Sequence, residues 1–121
     1  MLVLTRKTGE AVYVGQFLVT IQKLRKGPPN ERSRQGEWEA ILRIEEAGKI
    51  PRRFTVPEGT DLLLAEGELV PPRDVNTSLD DAIRVAVLVN KVHRGEIRLG
   101  FIAPDDILIL RAELKDEGVK S

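Results

Sequence analysis

The chain has 121 residues, enough for one compact domain with a modest core, and its 19 basic side chains are balanced by 19 acidic ones, which argues against an indiscriminate polyanion binder. The absence of cysteine excludes disulfide and thiolate chemistry, and a lone histidine, His93, excludes a multi-histidine metal centre. No stretch approaches the apolar length that crosses a bilayer, so the chain reads as cytoplasmic and without membrane contact.

In chain order, Met1-Leu2-Val3-Leu4 is a β-prone run that leads directly into Thr5-Arg6-Lys7, with a turn expected only at Gly9-Glu10. Taken alone, Arg6 and Lys7 read as a strand end that places its cations in water. Ala11 to Val14 is a short second strand stopped by Gly15, and Phe17 to Arg25 alternates with Phe17, Val19 and Ile21 on one face. A polar loop follows from Gly27 to Gly36. Trp38, Ala40, Leu42 and Ile44 then alternate, and although Trp38, Ile41, Leu42 and Glu45 also fit helical spacing, strand is preferred.

Further strands are expected at Arg53 to Val56 and Leu62 to Leu64, and Pro71 to Asp74 reads as a linker. Thr77 to Asp80 has the chemistry of a helix cap. Ile83 to Val92 and Glu96 to Ile102 read as strands around a turn at His93-Arg94-Gly95. Ala103-Pro104 breaks the second of these. Ile107 to Leu110, apolar on both faces, calls for burial on both sides, and a short surface helix is expected from Arg111 to Glu117.

Charge is unevenly spread. Residues 1 to 36 hold seven basic and two acidic side chains, 37 to 83 hold five and eleven, and 84 to 121 hold seven and six. The N-terminal part is therefore a candidate electrostatic footprint for a nucleic acid. The acidic pairs Glu45-Glu46, Asp80-Asp81 and Asp105-Asp106 do not suggest acid-base catalysis, because neighbours on a strand point to opposite faces. With no phosphate loop, nucleophile motif or metal spacing, neither an enzyme nor a cofactor is expected.

The two halves echo each other. GEWEAILRI (36 to 44) parallels GEIRLGF (95 to 101), FTVPEGTDLLLAEGEL (54 to 69) parallels FIAPDDILILRAEL (101 to 114), and QFLVTIQKL (16 to 24) parallels AIRVAVLVN (82 to 90). LLLAEGELV (62 to 70) also faintly parallels LVLTRKTGEAV (2 to 12). The order of matches is preserved, as in a duplicated unit with copies at 1–60 and 61–121 within a single domain over 1–121.

MLVLTRKTGEAVYVG at the start and HRGEIRLGFIAPDDILILRAEL at 93 to 114 resemble the carbon storage regulator (CsrA/RsmA) family of bacterial RNA-binding translational regulators. The resemblance implies a mainly β fold: a small antiparallel, barrel-like sandwich with a short C-terminal helix, in which two chains interlock. It also implies a post-transcriptional repressor that binds mRNA or small regulatory RNA through exposed GGA loops near ribosome-binding sites. Each RNA surface would join the first strand of one chain to the last strand of the other. Carried over by position, Leu4 and Arg6 supply the first-strand side with Thr5 and Lys7 flanking, and Ala103, Pro104, Ile107, Ile109 and Arg111 supply the last-strand side. An arginine fork suits the O6 and N7 of guanine, and strand-edge backbone suits unstacked bases.

About half the chain has no direct counterpart in a standard member. Ile102 and Leu110 replace residues that relatives commonly have as polar and as histidine. The added half is either an insertion in a protomer that still forms a homodimer, or the second copy of a fused pseudo-dimer. Length and preserved order favour the pseudo-dimeric monomer. In that arrangement, with 62 to 70 as the second first strand, Ala65 and Glu66 fall near the place of Arg6, and one of the two RNA surfaces is lost. An alternative is a diverged member that acts through protein contacts, with a relative or a flagellar assembly antagonist, and binds RNA weakly or not at all.

Overall fold

A computed structural model of the chain describes residues 2–29, 31, 36–71, 83–88 and 96–112. Among these residues ten strands are formed, arranged as two five-stranded antiparallel sheets.

The N-terminal run forms β1, Leu2–Lys7, and after a turn in which Gly9 takes a φ of +92° the chain enters β2, Ala11–Val14. A tight turn at Gly15 leads to β3, Phe17–Lys26, and β3 pairs along most of its length with β4, Trp38–Glu46. The pairing slips by one residue between Ile21 and Lys23, a bulge that lets this long strand twist without losing its partner. Trp38, Ala40, Leu42 and Ile44 follow the strand period, so the helical alternative is not taken up; Ala40, Leu42 and Ile44 are buried. β5, Arg52–Pro57, completes this run of neighbours.

β6, Asp61–Leu63, turns back into β7, Glu68–Val70, and pairs on its other side with β8, Arg84–Leu88. β8 pairs with β9, Glu96–Ile102, and the described chain ends in β10, Ile109–Arg111. The expected cap at Thr77 to Asp80 and the turn at His93 to Gly95 lie outside the described residues. Of the expected linker only Pro71 is described. Arg111, the expected start of the C-terminal helix, instead closes β10, and positions 113–117 of that helix lie outside the described residues.

The strand orders carry the main architectural fact. One sheet runs β1-β9-β8-β6-β7 and the other β10-β2-β3-β4-β5. Each sheet is thus four strands contiguous in the chain, closed at one edge by a strand from the far end of the sequence. The first strand completes the sheet of the second half, and the last strand completes the sheet of the first half. Residues of both sheets, among them Val12, Ile21, Leu42, Leu62, Leu99 and Phe101, form one continuous buried core. Such a face-to-face arrangement needs alternate residues pointing inward from both layers, as the period-two pattern provides.

The two sheets share a register. Leu4 lies opposite Leu99 and Arg6 opposite Ile97 in one, as Phe54 lies opposite Leu42 and Val56 opposite Ala40 in the other. Val12 lies opposite Val19 in one, as Leu62 lies opposite Val85 in the other. β5 and β6 therefore match β1 and β2 at a constant interval of 50 positions, Leu4 to Phe54 and Val12 to Leu62. It is β5, and not 62 to 70, that holds the place equivalent to β1.

Burial of the last strand differs from the sequence expectation. Leu108 is 70% exposed and Leu110 half-buried, because β10 is an edge strand with one face on the core and the other outward. Asp61 is buried beside the guanidinium of Arg84, at 3.5 Å, where the equivalent position Ala11 is apolar.

Because one core serves both sheets, damage in one should be felt in the other. Leu99→Ala, in the sheet that lacks Trp38, should cost about 2–5 kcal/mol and shift the urea midpoint read by Trp38 fluorescence together with the midpoint read by circular dichroism. A Trp38 transition left in place would contradict a shared core.

Candidate nucleic-acid interface

Strand parity decides which side chains of β1 point where. Residues directly opposite one another across an antiparallel ladder share a face. Leu2, Leu4 and Arg6 lie opposite Phe101, Leu99 and Ile97, all buried, so these three face inward, while Val3, Thr5 and Lys7 face out and are exposed. On β10, Ile109 and Arg111 lie opposite the buried Val14 and Val12, and Leu110 lies opposite Tyr13. Ile109 packs on the core and Arg111 is exposed. The inward faces of the first and last strands thus meet at one open edge of the sandwich.

An open groove of about 430 Å³ occupies this edge. Ala103, Pro104, Ile107 and Ile109 line it on the last-strand side, and Leu2 lines it on the first-strand side, with Phe101, Ile102 and Asp105 completing the wall. The loop carrying these residues is held in shape by a turn in which the Ile107 N–H donates to the Pro104 carbonyl at 3.0 Å. It is tied to the neighbouring hairpin where the Gly15 N–H donates to the Leu108 carbonyl at 2.8 Å. Gly15 suits this turn because its φ of +58° is one that residues with a side chain rarely adopt.

The polar residues of β1 lie further along the strand, towards its Lys7 end. Arg6 is 5% exposed, so it does not extend into water as a strand-end cation would. Its parity turns it inward, where its Nε–H donates to the Thr5 carbonyl at 2.9 Å and its guanidinium lies 3.9 Å from the Glu10 carboxylate. Glu10 also accepts a 2.7 Å hydrogen bond from the Lys7 N–H, which fixes the end of β1. The Lys7 ammonium is exposed and lies 3.7 Å from Glu96. Among the described residues, no group of three or more histidine, cysteine or acidic side chains could hold a metal ion.

Of the nine residues expected from the sequence, Ala103, Pro104, Ile107 and Ile109 line one groove. Leu4, Arg6 and Arg111 share its inward face beyond the groove walls, and Thr5 and Lys7 lie on the outer face of the same strand. Leu2, Phe101, Ile102 and Asp105 were not expected. Leu2 was detectable, since it has the parity of Leu4 and Arg6; Asp105 was not, because its place depends on how the loop turns.

The chain is 48% identical over 50 residues to proteins named translational regulator CsrA from Helicobacter pylori strains Shi470 and P12, and 46% identical to that of strain J99. The match covers 40% of this chain and 63% of each relative, so the chain spans less than two thirds of the length of these curated relatives. No protein-family model matches the chain, and no solved structure matches it. The chain, an antiparallel β-sandwich, is thus similar over these 50 residues to proteins named as CsrA translational regulators.

Proposed function

We propose that this chain is an RNA-binding translational regulator that takes up an exposed GGA-containing loop of an mRNA or small regulatory RNA at the edge between β1 and β10. The observation that carries the reading is the convergence of the first and last strands on one open groove lined mainly by apolar side chains, with the exposed cations Lys7 and Arg111 on the same two strands. Apolar walls accept the faces of unstacked bases. An edge strand offers unpaired N–H and C=O groups to base edges, and the cations meet phosphate or the O6 and N7 of guanine. Arg6, held by Glu10, contributes from within as a fixed donor that supports the strand edge.

We also propose that one polypeptide replaces an interlocked pair. The common register of the two sheets and the 50-position interval between β1 and β5 support a duplicated unit whose second copy starts at β5. In this reading the exchange of first and last strands between partners takes place within the chain, and the protein is a pseudo-dimeric monomer.

A second reading, a family member working through protein contacts, is favoured by one observation: Arg6 is buried and paired with an acid. A gel-shift series with a GGA hairpin and the same hairpin with its motif altered separates the two. The RNA reading predicts preference for the intact motif, with affinity falling steeply as salt rises because phosphate contacts release counterions. Arg111→Ala should cost about 1–3 kcal/mol of binding; unchanged affinity would count against the proposed surface. Equal retention of both hairpins, or of neither, would favour the protein-contact reading. In light scattering at micromolar concentration, the particle should have the mass of one chain, 13.5 kDa. A stable particle of twice that mass would reject the pseudo-dimer.

A further inference from the structure

The pseudo-two-fold relation between the sheets requires a second edge, between β5 and β7, equivalent to the one between β1 and β10. Register identifies its residues one by one. Arg52, Phe54 and Val56 lie opposite Ile44, Leu42 and Ala40 on β4, and so stand where Leu2, Leu4 and Arg6 stand on β1. Leu69 lies opposite Leu62 on β6, as Arg111 lies opposite Val12 on β2. Both inward cations of the open edge are therefore replaced by aliphatic side chains, Val56 and Leu69.

The space is gone as well. Arg52 turns inward, its Nη2–H donating to the Leu64 carbonyl at 3.0 Å, and its guanidinium lies 5.4 Å from the centre of the Phe54 ring. The β6–β7 turn presses on this pair at Gly67, in the register position of Ile109. A Cβ on Gly67 would lie 2.8 Å from both the Arg52 Nη1 and the Phe54 Cζ, and its φ is +66°. In place of a loop carrying Ala103, Pro104 and Ile107 there is a tight turn closed by the Gly67 N–H donating to the Leu63 carbonyl at 2.8 Å.

We infer that the β5–β7 edge is a closed structural seam and that each chain takes a single RNA, a conclusion that rests on the RNA reading proposed above. A molecule with one site gains nothing from two motifs on one transcript. The rise in affinity that comes from making a second contact intramolecular needs two sites on the same body. The RNA class served is then one with a single accessible motif, and a two-motif RNA loads two chains independently.

Isothermal titration of the chain with a one-motif hairpin, and with an RNA carrying two such hairpins, tests this. One hairpin per chain, two chains per double hairpin, and per-motif affinities within about twofold of each other are expected. Two hairpins per chain, or a double hairpin bound more than about tenfold tighter, would overturn the inference and leave the RNA reading standing. No binding of either RNA by the unaltered chain would overturn both. Arg52→Ala should leave hairpin affinity unchanged, whereas a loss comparable to that of Arg111→Ala would make the second edge a binding surface. The seam itself has a readout without RNA: Gly67→Ala should lower Tm by more than about 5 °C, and an unchanged Tm would mean that the edge is not closed.

Discussion

Everything else in the molecule depends on the exchange of the end strands. β1 adds to the sheet built by β6 to β9, and β10 adds to the sheet built by β2 to β5. A four-stranded sheet of this length would leave an inward-facing ladder edge and an uncovered flank of core. The end strand supplies both the missing hydrogen bonds and the apolar cover, with Leu4 packed on Leu99 and Ile109 on the core beside Val14. The two halves are thereby joined more firmly than a linker would join them, since neither sheet is complete without a strand from the opposite end of the chain.

The exchange also creates the groove. β1 and β10 are as far apart in sequence as the chain allows, yet the two sheets stack so that these strands form the two lips of one edge. Their inward residues are set by parity, so the walls follow from pairing alone: Leu2 because Phe101 is buried, Ile109 because Val14 is buried. The loop between β9 and β10 then fills the base with Ala103, Pro104 and Ile107. The groove is a product of long-range pairing, which is the slow and entropically costly part of folding an all-β chain.

Shared register with unlike edges is the second organising fact. Register is dictated by backbone pairing and by which side chains must be buried, and these demands are the same in both sheets. The lips are under no such common demand. On one side a six-residue connection stands off from the sheet and leaves space. On the other, a glycine with positive φ lets the β6–β7 turn close on Arg52 and Phe54. Small differences in connection length and one missing Cβ thus separate an open edge from a sealed one within a single scaffold. The buried Asp61 and its partner Arg84 lie in the sheet whose far lip is sealed; the position equivalent to Asp61 in the other sheet is Ala11.

Apart from β7, Glu68–Val70, the described strands were legible in the sequence. Alternation along Phe17 to Ile21, Ala40 to Ile44 and Ile97 to Phe101 marks one buried face, because a pleated chain sends successive side chains to opposite sides whatever it pairs with. The residues on the last-strand side of the groove were legible through family resemblance at Ala103, Pro104, Ile107 and Ile109. Alternation does not name a partner strand, which is why 62 to 70 resembled a repeat of the first strand although β5 occupies that place. Nor does it separate an edge strand from a central one, so Ile107 to Leu110 read as buried on both sides while Leu108 stands in solvent. The sequence by itself determined which residues form strands and which face of each is apolar, since those depend on local geometry and hydrophobicity. Only the tertiary structure decided that Arg6 turns inward to Glu10, that the first and last strands share an open edge, and that its twin is shut, because these depend on which strands pair across the length of the chain.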